Sequence, residues 1–318
     1  MSSGGEVYTK VYPEDHISIM MDLKERRAVR VLGPDAAKFL QGLLTNDVDQ
    51  VQIGCATFAG LLSPQGKVLF ECQVAPVKHG FVLDVARSMA GDLARRLSMY
   101  KLRANVEIDD ASEVSSVGVI WVPGIADSGP RPAKHSEGMC TSFVDARHSE
   151  LGVRIVWANT IPGLPDLPIP PLSPGTSSQC PTYHAHRIAL GVPEGGKDYL
   201  FGELFPHEAM FDQLNGVSFT KGCYVGQEIV TRMQHRGTAR SRFLMVAAEG
   251  PLPERGTEVL ADDKPIGAMG SSVGPNGLAL IRLDRLADAY KESRPITTGG
   301  APITLTKPPY ASFEVPTP

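Results

Sequence analysis

Long apolar runs are missing from this chain: none approaches the roughly 20 residues that a bilayer-spanning helix needs. Its first residues, Met1 to Tyr12, carry an acid and no apolar core, which excludes a secretory signal. They also lack the Arg-rich, acid-free character of an organelle transit peptide, so a cytoplasmic location is expected. Paired cysteines are absent too. The five thiols (55, 72, 140, 180, 223) are odd in number and form no CxxC, which fits neither a disulfide framework nor a closed zinc site. Reduced thiols in the cytoplasm are the natural reading. A basic excess is missing as well: the net charge of -4 argues against a general nucleic-acid binder, so any basic site must be local. There is no phosphate loop and no Ser-His-Asp elbow.

What is present suits a soluble protein of two or three domains: 318 residues, 42% hydrophobic and 21% charged. Residues 28–32 alternate like a strand, and Gly33-Pro34-Asp35 opens a helix that Thr45-Asn46-Asp47 should end. Residues 56–75 read as a hairpin around Ser63-Pro64-Gln65-Gly66-Lys67. A strand at 81–85, a helix at 88–99 and an alternating strand at 100–108 complete an α+β unit. Further strands at 116–122 and 152–157 flank a polar loop, 123–141. Seven prolines between Ile161 and Pro181 mark a linker or surface crossover. A helix over 181–191 follows, then an irregular polar stretch, 192–218. From Arg242 the texture becomes β, with strands at 243–248, 258–260, 264–272, 278–283 and 302–306 that suggest a small barrel. The predicted division is residues 1–240 and 241–318.

The densest chemistry lies in Lys221-Gly222-Cys223-Tyr224-Val225-Gly226-Gln227-Glu228. With a helix from Gly226, Cys223 sits at its N-terminal approach beside Lys221, and both the dipole and the ammonium favour thiolate. The competing reading is a buried, inert cysteine. Glu208, at the Pro206-His207-Glu208 bend, suits the guanidine-like edge of an arginine or a pterin; equally, it suits a helix N-terminus. The run from Arg232 to Arg242 holds four arginines and no acid, which fits carboxylate or phosphate recognition or a solvated connection. His184 and His186, two residues apart, point away from each other on a helix and read as structural.

The octapeptide resembles the motif of the YgfZ-type folate-binding proteins, a family that includes mitochondrial iron–sulfur cluster assembly factors and is related to the glycine cleavage T-protein. Other landmarks agree in order: Phe39-Leu40-Gln41-Gly42, Thr45-Asn46-Asp47-Val48, Ser63-Pro64-Gln65-Gly66-Lys67, Tyr100-Lys101-Leu102-Arg103, Gly191-Val192-Pro193, Pro206-His207-Glu208 and Gly216-Val217-Ser218-Phe219. The resemblance implies two interleaved ferredoxin-like subdomains and a C-terminal β-barrel, arranged as a ring around a tetrahydrofolate channel. It assigns Glu208 to the pterin, Arg240 or Arg242 to the glutamyl tail, and Tyr183 and Arg103 to the folate site. Cys223, with Lys221 and Gln227, becomes the functional thiol group, and no resident metal is implied. Arg26 stands where relatives carry a tryptophan. The implied role is assembly or repair of iron–sulfur clusters in client enzymes, including radical enzymes that thiolate transfer RNA, by a monomer contacting neither nucleic acid nor membrane. The alternative is a folate-dependent aminomethyl transferase. Here, however, the relatives' Asp pair is replaced by Phe70-Glu71, and a carboxylate displaced by one methylene is poorly placed for the same step. A third reading is an interaction scaffold with a vestigial pocket.

Overall fold

Charge pairs and short turns divide the apolar segments into three antiparallel sheets. The structure, a computed structural model, describes residues 19–121, 140–158, 182–237 and 239–317. The predicted crossover 161–181 and most of the loop 123–141 lie outside these residues.

The first sheet has five strands: β2 (Arg26–Leu32), β3 (Thr57–Leu62), β4 (Val68–Val77), β5 (Gly80–Ala86) and β6 (Glu107–Asp110), in the order β3-β4-β5-β2-β6. Helices α1 (Ala36–Gln41) and α2 (Ala90–Tyr100) bury Leu40, Leu93 and Leu97 with Val29, Val31, Leu83 and Val85 of its strands. The second sheet takes β1 (Ile19–Asp22) from before the first sheet and joins it to β7 (Ser115–Trp121), β8 (Cys140–Val144) and β9 (Val153–Ala158), in the order β1-β7-β9-β8. The two units are therefore interleaved in sequence, as the family resemblance implied. Helix α3 (Tyr183–Ala189) begins where Thr182 Oγ1 accepts the Ala185 N–H, and it ends in the expected Gly191 turn.

Helix α4 (Gln227–Arg236) leads into a seven-stranded sheet of β10 (Ser241–Ala247), β11 (Glu258–Ala261), β12 (Lys264–Val273), β13 (Asn276–Arg282), β14 (Ile296–Thr298), β15 (Ala301–Pro302) and β16 (Thr304–Thr306). Helix α5 (Leu283–Lys291), which the strand-like texture concealed, covers this sheet's own core with Leu286 and Ala289 at helical spacing.

The strand expected over 100–108 is a correction. Tyr100 still belongs to α2, and pairing starts only at Glu107. The segment between is held instead by Asp35, whose Oδ2 accepts the Asn105 N–H at 2.7 Å. Its polar–apolar alternation therefore has no sheet partner behind it.

Between the sheets lies a shared apolar cluster that includes Phe58, Trp121, Tyr183, Phe211, Tyr224 and Phe243. Beside it is a buried set of ion pairs. Arg154 of β9 reaches Asp84 of β5 at 3.2 Å and Asp145 at 3.1 Å; Arg26 of β2 also bonds Asp84, at 2.7 Å, and Arg187 of α3 bonds Asp198 at 2.6 Å. Asp198 in turn accepts the backbone N–H of Ser271 in β12. Charge thus ties the first two sheets together, and Asp198 joins α3 to the third.

Candidate functional site

The thiol segment is seated by the first sequence landmark. Thr45 Oγ1 donates to the Gly216 carbonyl at 2.6 Å, Thr45 O accepts the Ser218 N–H at 3.0 Å, and the Asn46 amide donates to the carbonyls of Asn215 and Phe58. Lys221, 8% exposed, then sends its amine onto the carbonyls of Leu44 and Asn46 at 2.8 and 2.7 Å. Burial lowers this ammonium to about 8, against the opposing pull of Asp47 and Asp49. Downstream, Gly226 adopts φ +80 and lies so close to the Ser63–Gly66 turn that a Cβ would meet the Ser63 carbonyl oxygen at 2.7 Å. Tyr224 is buried, Gln227 half-buried, and Cys223 exposed beside a Gly222 that has open space around it. Cys223 is therefore not the buried, inert thiol. The Lys221 amine, expected beside the thiol, donates to the backbone carbonyls of Leu44 and Asn46.

Helix α4 joins this loop to a cavity of about 310 Å³ lined by Phe205, Glu208, Ile229, Arg232, Met233, Arg240, Ser241 and Arg282. Glu208 is half-buried, and its Oε2 accepts the Phe205 N–H at 2.9 Å. Residues 206–215 form successive turns, so no helix dipole accounts for Glu208. Lys67 lies over the Phe205 ring at 3.4 Å, and His207 Nε2 meets Gln234 of α4 at 3.0 Å, which fixes the bend against the helix. Arg282 is engaged by Asp284, and that hydrogen bond holds the Asp284 carboxyl down at about 2. Arg232 and Arg240 present exposed guanidinium groups at the cavity.

Three predicted ligand residues lie elsewhere. Arg242 is buried, bonds both oxygens of Asp212 at 2.7 and 2.9 Å, donates to the His207 carbonyl and stacks on Phe313. Those contacts use its fork and tie β10 to the turn segment 206–215, away from the cavity. Tyr183 is buried among charges, its hydroxyl accepting from Arg154 at 3.1 Å and donating to Asp145 at 3.4 Å. Burial raises its phenol to about 12. Arg103 is exposed in the turn after α2 and does not line the cavity.

Glu71 is 2% exposed. Its carboxylate accepts the Tyr199 hydroxyl and the Gly195 N–H, and burial raises its proton affinity. A carboxyl sealed in this way has no free edge for a substrate. Nearby, Glu194 is ringed by Lys197, Arg187, Arg26 and Arg147 at 3.3 to 3.9 Å. Burial would raise its carboxyl, yet these cations hold it well below the usual range. The sequence reading left Arg154, Asp145 and Asp84 aside. For Asp84 and Arg154 the signal is a charge in the middle of an apolar strand run, as in Phe81-Val82-Leu83-Asp84-Val85, whereas Asp145 follows β8 and carries no such signal.

Comparison with known proteins places this arrangement. The CAF17 C-terminal β-barrel domain matches residues 240–313, the span of the third sheet. The mitochondrial iron–sulfur cluster assembly factor IBA57 of Mus musculus is 34% identical over 288 residues, covering 83% of this chain and 77% of that protein. The chain belongs to the IBA57 family of iron–sulfur cluster assembly factors. The Homo sapiens IBA57 is 31% identical over 284 residues, with 83% and 77% covered, and the Pyricularia oryzae homologue is 34% identical over 301 residues, with 86% and 74% covered. The resemblance to YgfZ-type proteins thus narrows to the related IBA57 group. The fold is that of the glycine cleavage aminomethyltransferase T from Bartonella henselae: the TM-score is 0.69 at 14% identity, over 93% of this chain and 86% of that one. The expected α+β ring with a C-terminal barrel accords with that fold. The cytoplasmic expectation does not stand, because these IBA57 relatives are mitochondrial proteins. Reduced thiols do not separate the cytosol from another reducing compartment.

Proposed function

We propose that this IBA57-family chain is an accessory factor for the assembly or repair of iron–sulfur clusters in client enzymes, radical enzymes that thiolate transfer RNA among them. Its working group is the Cys223 thiol. The observation that carries this reading is an exposed sulfur on a loop fixed on both sides, by Lys221 upstream and by Gly226 downstream. Among the described residues no cluster of three His, Cys, Asp or Glu side chains could hold a metal. One thiolate is short of the usual ligand set of an iron–sulfur cluster. The cluster is therefore cargo, and its remaining ligands come from the client. Gln227 and Lys221 shape the loop. The chain acts as a monomer and touches no nucleic acid; among the described residues no helix is long and apolar enough to cross a membrane.

The cavity beside α4 is proposed as a site for tetrahydrofolate. Its residues fit part of that chemistry: Glu208 offers a carboxylate to the amidine edge of the pterin, Phe205, Ile229 and Met233 offer an apolar wall, and Arg232 and Arg240 offer cations to a glutamyl tail. When bound, a folate would supply a one-carbon carrier or a reduced pterin. The chain's own residues bind and orient it. The aminomethyl transferase reading loses support because Glu71 is sealed by Tyr199 and Gly195.

Calorimetry with tetrahydrofolate on the whole chain tests the cofactor. Saturable binding is expected, weakened at least tenfold by Glu208→Ala. Binding that Glu208→Ala leaves unchanged would remove the pterin site from this cavity.

A further inference from the structure

Resting on the reading of Cys223 as the working thiol, we infer that Lys221 is a positioning residue that anchors the thiol loop, and not a charge that activates the sulfur. The octapeptide puts a lysine two residues before a cysteine, and sequence alone invites an electrostatic partnership. The geometry assigns the amine a different task. Its nitrogen donates to two carbonyls, those of Leu44 and Asn46, which flank Thr45, the residue that also holds Gly216 and Ser218. Its third side faces the Tyr224 ring at 5.4 Å.

The stem is buried, so removing the amine would leave two carbonyls without a donor in a place water reaches poorly. Lys221 is the last tether before the sulfur. Gly222, with open space where a side chain would stand, offers the loop no packing, and the next fixed points are the buried Tyr224 ring and the close-packed Gly226. The lysine therefore decides where Cys223 sits.

The test compares Lys221→Met, which keeps the buried stem, with Lys221→Arg, which keeps the charge in a seat shaped for one amine. Two readouts are taken on the full chain: hydrogen exchange of the hydrogen-bonded amides that frame the loop, those of Ser218 and residue 221 upstream and Gln227 downstream, and alkylation of the Cys223 peptide by neutral iodoacetamide and anionic iodoacetate, resolved by mass spectrometry. Near-ultraviolet circular dichroism confirms that each variant is folded; if the methionine variant is not, the arginine variant decides. Positioning predicts at least tenfold faster exchange in both variants, with the iodoacetate-to-iodoacetamide rate ratio held within twofold of wild type. Unchanged exchange in either folded variant, or a ratio that falls fivefold in Lys221→Met, overturns the assignment. Neither readout depends on cluster assembly, so the anchor can be judged even if Cys223 proves dispensable in cells.

Discussion

Replacing Arg154 by methionine removes one cation from the charged centre while keeping most of its volume. In the wild type its Nη1 meets Asp84 at 3.2 Å, its Nε meets Asp145 at 3.1 Å, and its Nη2 donates to Tyr183 at 3.1 Å. Each carboxylate retains one other guanidinium, Arg26 at 2.7 Å and Arg147 at 2.8 Å, so neither is stranded outright. Breaking a buried pair by removing one partner costs about 3–5 kcal/mol. The retained partners place this change near the lower end, at about 3 kcal/mol, which at about 2.1 cal/mol/K of unfolding entropy per residue lowers the thermal midpoint of a 318-residue chain by roughly 4–5 °C. The loss should also depend on acidity. Burial favours the neutral acid at Asp145, but Arg147 and Arg154 outweigh it and hold the carboxyl well below the usual carboxylate range. A depressed carboxyl contributes stability that is complete above its unfolded value, about 4, and is lost as pH falls toward its folded value. The unfolded value is the same in both proteins, so the gap between wild type and Arg154→Met should be full at pH 7 and narrow as pH falls through the carboxyl's value in the folded variant, which the loss of one cation leaves closer to the ordinary value of about 4. Urea titrations at pH 7, 5 and 3.5 measure it. A loss below about 1 kcal/mol at pH 7, on the scale of an exposed ion pair, would refute the picture of a centre held by charge. So would a gap that does not change with acid.

Other outcomes follow from single contacts. Gly226→Ala should cost about 1–3 kcal/mol, because φ +80 is strained for alanine and its methyl would sit 2.7 Å from the Ser63 carbonyl oxygen; a variant as stable as wild type in urea would contradict the close packing of the thiol loop. Arg242→Met should lower stability by about 3 kcal/mol by leaving Asp212 buried without its fork, whereas Arg240→Met, at an exposed position, should change stability by less than about 0.5 kcal/mol. Calorimetry on the same pair should show tetrahydrofolate affinity reduced by Arg240→Met, and the opposite pattern would return the tail to Arg242.

Much of the scaffold was legible because its segments obey simple periods. The hairpin around Ser63–Lys67, the helix that opens after Asp35 and the glycine stop at Gly191 all carry local signals that tertiary packing did not override. Helix α5 was missed because a nine-residue helix between strands has only two buried positions, Leu286 and Ala289, to betray its period. The site was legible as motifs but not as partnerships. Lys221 and Cys223 stand two positions apart in sequence, yet the lysine's partners, Leu44 and Asn46, lie more than 170 positions away. Arg240 and Arg242 look alike in the chain, and only Asp212 separates their roles. Tyr183 was placed by resemblance, and the charges that enclose it come from β5, β9 and the segment after β8, which no local pattern links.

The central claim is that Cys223 is the thiol through which this chain serves iron–sulfur enzymes. Cells lacking their own IBA57-type factor, complemented with the wild type, Cys223→Ala or Cys55→Ala, give the most direct measurement: the activity of an iron–sulfur enzyme normalised to its protein level. The Cys55 variant controls for loss of an exposed thiol elsewhere on the surface. Wild type and Cys55→Ala should restore activity, and Cys223→Ala, present at equal abundance, should leave it at the level of the empty vector. Full restoration by Cys223→Ala would contradict the account.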